Sequence, residues 1–295
     1  MPPRKKPSKD TRDANQEAHF ALVLEAAQLV VKLLRNNGFS CATFGSLASK
    51  MYGSARCPKD VDMLVLQDPP KEGQEEKLKT AHEIKTLLLD KDPRHFYLTL
   101  PRDPQAEYRI LWYRQEYRGP ECKVDILVPG TMHLPRLAHT SITWIDGVPL
   151  VPFSLLLLHK LQGWDDHRLA EEPHKQRKQG QDAADLRRLA ALTQYAEPLE
   201  KLKPWNDEEL FSEEFQELTK RRVKDYCQEF PTRAPWWRSL GFDVGEIPDP
   251  PPPKEKKART KTKAKPAANE PGNAVAGVHP EEAVETPRTG ETGKE

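Results

Sequence analysis

Two aspartates, Asp60 and Asp62, stand two residues apart at the start of an otherwise apolar segment, DVDMLVLQ (residues 60–67). The segment is typical of a central β-strand because apolar residues occupy both of its faces. On a strand, the two carboxylates project from the same face, with their Cα atoms roughly 6 to 7 Å apart. Two buried like charges need a counter-cation. Magnesium suits them, since proteins usually hold it by one or two carboxylates together with substrate phosphates.

A third carboxylate, Asp125, lies within CKVDILV (residues 122–128), whose apolar residues again indicate a buried strand. If this strand neighbours the one that carries Asp60 and Asp62, three carboxylates converge. Such a group is enough to hold two metal ions and to deprotonate an incoming hydroxyl.

Gly45 and Ser46 mark the junction between a short strand, SCATF (residues 40–44), and a short helix, GSLASKMY (residues 45–52). The free backbone N–H groups at the start of a helix can bind a phosphate chain. Glycine allows the backbone to approach closely, and the serine hydroxyl can donate to a phosphate oxygen. Serine is also a common helix cap, so the pair alone leaves both interpretations open.

The elements that must position these residues follow from the apolar periodicity. Strand candidates on both sides of the aspartates indicate a mixed sheet of about five strands, and a helical half begins near Pro152, so an α/β (α+β) fold is expected. Helices are predicted at residues 16–36, 74–89, 182–196 and 207–227, further strands at 95–100 and 108–114, an extended stretch at 142–151, and a polar connection at 171–180.

The segment GSLASKMYGSARCPKDVDML resembles the opening motif of the nucleotidyltransferase superfamily that includes DNA polymerase β. It is most similar to the AbiEii toxin-type branch, in which a later helix carries a lysine and the next begins with aspartates. LLLLHKLQGW and QGQDAADLRRL match that order, and the similarity spans residues 20–195. The chain departs from the branch at Pro58-Lys59, where a serine or threonine is usual, and Asp125 fills a position that the branch does not always fill.

The resemblance implies metal-dependent transfer of a nucleoside monophosphate from a nucleoside triphosphate to a hydroxyl of an RNA, a protein or a small molecule. Pyrophosphate leaves, and Mg²⁺ or Mn²⁺ is the expected cofactor. Gly45 and Ser46 would bind the triphosphate, and Asp60 and Asp62 the metals. Asp125 would serve a second metal site or act as general base.

By the same resemblance Arg56 neutralises phosphate charge and Lys160 contacts the phosphates or the base of the nucleotide. Asp182 or Asp185 would orient Lys160. The residues alone also allow blander interpretations: the Lys160 stem can lie along the core with its ammonium in water, and Asp182 can be a helix cap.

Composition sets the boundaries of the folded part. We expect a disordered basic N-terminus at residues 1–15, a nucleotidyltransferase core at 16–151, a helical region closing the cleft at 152–247, and a disordered Pro- and Lys-rich tail at 248–295. The body between the tails is slightly acidic, which argues against a broad duplex-DNA surface. The four cysteines form no CxxC pair, so neither a zinc ribbon nor a disulfide framework is encoded.

Without a membrane span or signal peptide in the sequence, an intracellular protein is expected, and the basic tails are compatible with the cytoplasm or the nucleus. The oligomeric state stays open. Two other functions compete with nucleotide transfer. One is a catalytically inactive nucleotide-binding or scaffold protein of the same fold, and the other is an RNA-binding module that acts through its basic tails.

Overall fold

The aspartates lie in the middle of a mixed β-sheet. A computed structural model describes residues 8–67, 78–103 and 105–247, and in this part of the chain seven strands form one sheet. They are β1 (Ser40–Phe44), β2 (Asp60–Leu66), β3 (Phe96–Thr99), β4 (Ile110–Arg114), β5 (Glu121–Leu127), β6 (Thr143–Ile145) and β7 (Val148–Leu150). The sheet order is β3-β4-β5-β2-β1-β7-β6. Strand β2 pairs antiparallel with β1 and parallel with β5.

Helices cover both faces of this sheet, and a helical half follows β7. The helices are α1 (Lys9–Asn36), α2 (Gly45–Met51), α3 (Ala81–Lys91), α4 (Phe153–Leu169), α5 (Pro173–Gln176), α6 (Gln179–Ala190), α7 (Thr193–Leu202), α8 (Glu213–Glu229) and α9 (Ala234–Ser239). Short 3₁₀ turns lie at Thr131–His133, His139–Ser141, Pro204–Asn206 and Pro231–Arg233. The expected α/β fold with a helical C-terminal half is confirmed. None of the described helices is long and apolar enough to cross a membrane.

The alternation of β2 places its two sets of side chains in different cores. Val61, Met63 and Val65 pack with α1 and α3 in one buried cluster, whereas Leu64 and Leu66 belong to a second cluster with α4, α6 and α8. Asp60 and Asp62 have the parity of Leu64 and Leu66, so they point to the side that the helical half covers.

The sheet has two more strands than the sequence predicts. The extended stretch at 142–151 forms a hairpin of β6 and β7 rather than one strand. Asp146 and Gly147 in its turn have φ of 49° and 76°, and a two-residue turn with both φ positive reverses a chain in this way.

Several predicted boundaries are wrong, and local capping explains them. Helix α1 begins at Lys9 instead of residue 16, because the Ser8 hydroxyl accepts a hydrogen bond from the Thr11 amide at 3.2 Å. The predicted disorder of residues 1–15 is therefore incorrect from residue 8 onward. Residues 1–7, like the predicted tail at 248–295, lie outside the described part of the chain.

The remaining corrections concern helices. Helix α3 begins at Ala81, where Thr80 and Glu83 form a capping box, and the start predicted at residue 74 lies outside the described residues. Helix α8 begins at Glu213 rather than 207, where Ser212 caps the Phe215 amide. The helix predicted at 182–196 is two helices, α6 and α7, and the connection predicted at 171–180 contains α5.

Candidate active site

The turn between β1 and α2 brings Gly45 against Asp62. The antiparallel register of β1 and β2 pairs Phe44 with Asp62, so Gly45, the next residue, lies beside the aspartate. Gly45 has φ of +63°, and a Cβ atom added to it would overlap the Asp62 carboxylate. The Ser49 hydroxyl donates to the Gly45 carbonyl oxygen at 2.9 Å and fixes the turn. Only glycine fits here, because the backbone has a left-handed conformation and there is no space for a Cβ atom.

The acidic face is built from β2 and β5. Asp62 pairs with Asp125, and Asp60 with Lys123, so the predicted neighbourhood of the two strands is confirmed. Lys123, which the sequence analysis missed, donates from Nζ to Asp125 Oδ2 at 2.6 Å. Its position two residues before Asp125 on the same strand was the available signal, since residues i and i+2 share a face.

Burial and the two neighbouring carboxylates raise the cost of ionising Asp62. Burial raises the pKa of Asp62, and the charges of Asp60 and Asp125 raise it further, to about 7, while Lys160 and Lys123 act in the opposite direction. A carboxyl group in such a place favours either a proton or a bound cation. Binding of a cation next to Asp62 would therefore be favourable.

The donor set fits one divalent cation better than two. The Ser46 hydroxyl donates to Asp60 Oδ1 at 3.3 Å, so it orients a carboxylate instead of pointing freely to a phosphate. Among the described residues, no group of three or more His, Cys, Asp or Glu side chains could hold a metal ion. Asp125, which accepts a hydrogen bond from Lys123, is not part of such a group in this structure, and its place as a metal ligand stays a prediction. Asp60 and Asp62 match the one or two carboxylates by which proteins usually hold magnesium together with substrate phosphates.

A buried carboxylate, Asp185 on α6, gathers the nearby basic side chains. Asp185 is 3% exposed, and its Oδ2 accepts a hydrogen bond from Arg56 Nη1 and lies 3.7 Å from Lys160 Nζ. Arg188 Nη1 and Gln181 Nε2 each donate to its Oδ1 at 3.0 Å. Three cations share one carboxylate, so this cluster carries net positive charge. The structure brings together Arg56, Lys160 and Asp185, three of the residues that the resemblance assigns to the nucleotide, and it adds Gln181 and Arg188 to them.

Asp182 does not belong to this cluster. Its Oδ2 lies 2.6 Å from His167 Nδ1, which joins α6 to α4 away from Lys160. It lies in the first turn of α6 and does not cap the helix, because the N-cap residue is Lys178. The expectation that Asp182 orients Lys160 is therefore wrong, and Asp185 is the aspartate that contacts the lysine.

Comparison with known proteins shows a similarity of fold alone. No family model matches the chain, and no curated protein sequence matches it. An antigenic nucleotidyltransferase-like protein from Paracoccidioides brasiliensis is similar in structure, with a TM-score of 0.51 and 17% identity over 77% of this chain and 95% of that chain. The chain has a nucleotidyltransferase-like fold. JHP933 from Helicobacter pylori matches at a TM-score of 0.37 and 13% identity, covering 80% of this chain and 100% of that chain.

Replacing Gly45 tests the close approach to Asp62. Gly45→Ala should destabilise the fold by more than the roughly 1 to 2 kcal/mol that a left-handed backbone costs an alanine, because its Cβ also displaces the carboxylate. Gly38→Ala is the matched control, since Gly38 has φ of +82° and open space around the added carbon. Urea unfolding measures both variants. Equal losses at the two positions would contradict the proposed contact.

The raised pKa of Asp62 predicts a pH-dependent stability. The folded protein holds this proton more tightly than the unfolded chain, so the group's contribution to stability falls as pH rises from about 4 to about 7. Asp62→Asn removes the charge. In EDTA, its free energy of unfolding should exceed that of the wild type at pH 8 by on the order of 1 kcal/mol or more, and this gain should vanish at pH 4.

Asp90→Asn, on the exposed side of α3, is the control for the loss of one charge. Chemical denaturation at both pH values measures the differences. An Asp62→Asn variant that gains no stability at pH 8 relative to pH 4 would show that Asp62 ionises without penalty.

Proposed function

We propose that this protein is a metal-dependent nucleotidyltransferase, which moves a nucleoside monophosphate from a nucleoside triphosphate to an acceptor hydroxyl and releases pyrophosphate. One observation carries the proposal. Asp60 and Asp62 lie side by side on β2, and Asp62, whose pKa is raised, lies directly against the Gly45 turn. The nucleotidyltransferase-like fold supports it, and the resemblance to the AbiEii toxin-type branch is part of the proposal.

Backbone groups would bind the phosphates of the donor nucleotide. Phe44, the N-cap of α2, makes no side-chain hydrogen bond to the helix. The backbone N–H groups in the first turn of α2, beginning at Gly45 and Ser46, are therefore left to bind phosphate oxygens. The Ser46 hydroxyl instead keeps Asp60 oriented. Lys160, whose ammonium lies 3.7 Å from Asp185, would supply positive charge to the phosphates as they leave.

Asp60 and Asp62 would hold Mg²⁺ or Mn²⁺, and the cation would neutralise charge on the transferred phosphate. The acceptor oxygen forms a bond to the α-phosphorus while the bond from that phosphorus to the bridging oxygen of pyrophosphate breaks. Asp125 is the candidate to take the acceptor proton, once its contact with Lys123 opens. Burial lowers the pKa of Lys123, but its hydrogen bond to Asp125 and the surrounding carboxylates outweigh burial and raise it, so Lys123 stays charged.

One observation favours a second candidate, a catalytically inactive nucleotide-binding or scaffold protein. The ion pair between Lys123 and Asp125 occupies the third carboxylate of the site. If that pair never opens, a nucleotide could bind at Gly45 without a base to activate an acceptor.

A transfer assay separates the two candidates. The protein is incubated with each α-labelled nucleoside triphosphate, Mg²⁺, and pools of RNA, protein or small molecules. We expect label transfer into one pool, with a loss of about 100-fold or more in Asp60→Asn and in Asp62→Asn, because each change removes a charge that acts on the reacting phosphate. Asp90→Asn should keep wild-type transfer.

Transfer that persists in both active-site variants would defeat the proposed mechanism. Nucleotide binding without transfer into any pool would favour the scaffold.

A further inference from the structure

A cavity of about 450 Å³ borders the candidate active site on the segment that leads into β2. Its wall combines the beginning of α1, the segment 55–59 and α6. The polar side chains that line it are those of Asn15, Gln16, His19, Arg56, Lys59, Gln181 and Arg188. None of the described lining residues is acidic, so the cavity is suited to an anion.

The positive charge of this cavity is held in place before any ligand arrives. Arg56 and Arg188 donate to the two oxygens of Asp185, which fixes both guanidinium groups at the wall. A single carboxylate cannot neutralise both, and it also lies near Lys160. Lys59 is exposed and takes part in none of the ion pairs among the described residues. Arginine pairs and amide side chains are the usual partners of phosphate oxygens.

The cavity is adjacent to the reacting centre and separate from the donor turn. Lys59 immediately precedes Asp60, whereas Gly45, Ser46 and Asp62 do not line the cavity. In the proposed reaction, the donor phosphates occupy the Gly45 turn. An anion in this cavity would therefore belong to the other substrate.

We propose that the cavity binds a phosphate group of the acceptor, and that the acceptor is the hydroxyl end of a single-stranded polynucleotide. This inference rests on the proposed function. Arg177 and Lys178 are exposed and directly precede α6. The Lys178 carbonyl oxygen accepts a hydrogen bond from the backbone N–H of Gln181 at 2.8 Å, so Lys178 lies one helical turn from a residue that lines the cavity. Positive charge thus continues beyond the cavity, as a strand with further phosphates requires.

Binding of a short, fluorescently labelled single-stranded oligoribonucleotide tests the inference. Fluorescence anisotropy is measured without nucleoside triphosphate or metal, so the result does not depend on transfer chemistry. The double variant Lys59→Ala/Arg188→Ala should bind about tenfold or more weakly than the wild type. The slope of log affinity against log salt should fall by about 0.7 for each lost phosphate contact.

The control is Lys32→Ala/Lys91→Ala, which removes the same charge from exposed positions on α1 and α3. Its affinity should match the wild type, and thermal unfolding verifies that both doubles are folded. A 5′-mononucleotide that competes as well as the strand would assign the cavity to a phosphorylated small acceptor, and it would overturn the polynucleotide.

Three other results would overturn the inference altogether. In the first, the wild type does not bind RNA, and in the second, both double variants lose affinity equally. In the third, Lys59→Ala/Arg188→Ala weakens nucleoside triphosphate binding and leaves RNA binding unchanged, which would assign the cavity to the donor. Failure of nucleotide transfer in the earlier assay would leave these binding measurements intact, so the two proposals fail separately.

Discussion

The contact between Gly45 and the Asp62 carboxylate is the constraint on which the site depends. The antiparallel register of β1 and β2 sets it, and a glycine with positive φ allows it. Because no Cβ intervenes, the start of α2 and the acidic face lie together. The parallel register of β2 and β5 places Asp62 beside Asp125, and Asp60 precedes it by two residues on the same strand, so the fold concentrates negative charge where the first helical turn offers N–H groups.

The opposing positive charge is organised by one buried carboxylate. Asp185 connects α6 with Arg56, from the segment before β2, and with Lys160 on α4. A buried charge without partners would be costly, and these two partners come from distant parts of the chain. The helical half thus contributes more than a cover for the sheet, since it supplies Lys160, whose charge acts on Asp62.

The sequence predicts well what depends on neighbours along the chain. The aspartate pair, the Gly45 turn and the strand around Asp125 follow from short-range alternation, and the strands observed there agree within a residue or two. The sequence predicts the pairing of β2 with β5 only conditionally, because a long connection joins these parallel strands and their neighbourhood does not follow from local spacing. The predicted starts of helices are wrong where a single capping residue sets the first turn, as at Ser8 and Ser212.

Ion-pair partners were harder to predict, since helical spacing gives the face of a residue and not its partner. Asp182 and Asp185 are three residues apart on α6, yet one pairs with His167 and the other with Arg56 and Lys160. Arg188 contacts Asp185 within the same helix, which i,i+3 spacing permits but does not demand. Lys123 was overlooked because a lysine in a strand most often extends to solvent.

In the proposed site, Asp60 and Asp62 together hold a divalent cation at a nucleotide. Electron paramagnetic resonance of Mn²⁺ tests it most directly, with the full chain and a non-hydrolysable nucleoside triphosphate analogue at pH 8. We expect tightly bound Mn²⁺ in the wild type and its loss in Asp60→Asn/Asp62→Asn. Equal Mn²⁺ binding by the wild type and this double variant would show that the two aspartates do not hold the cation.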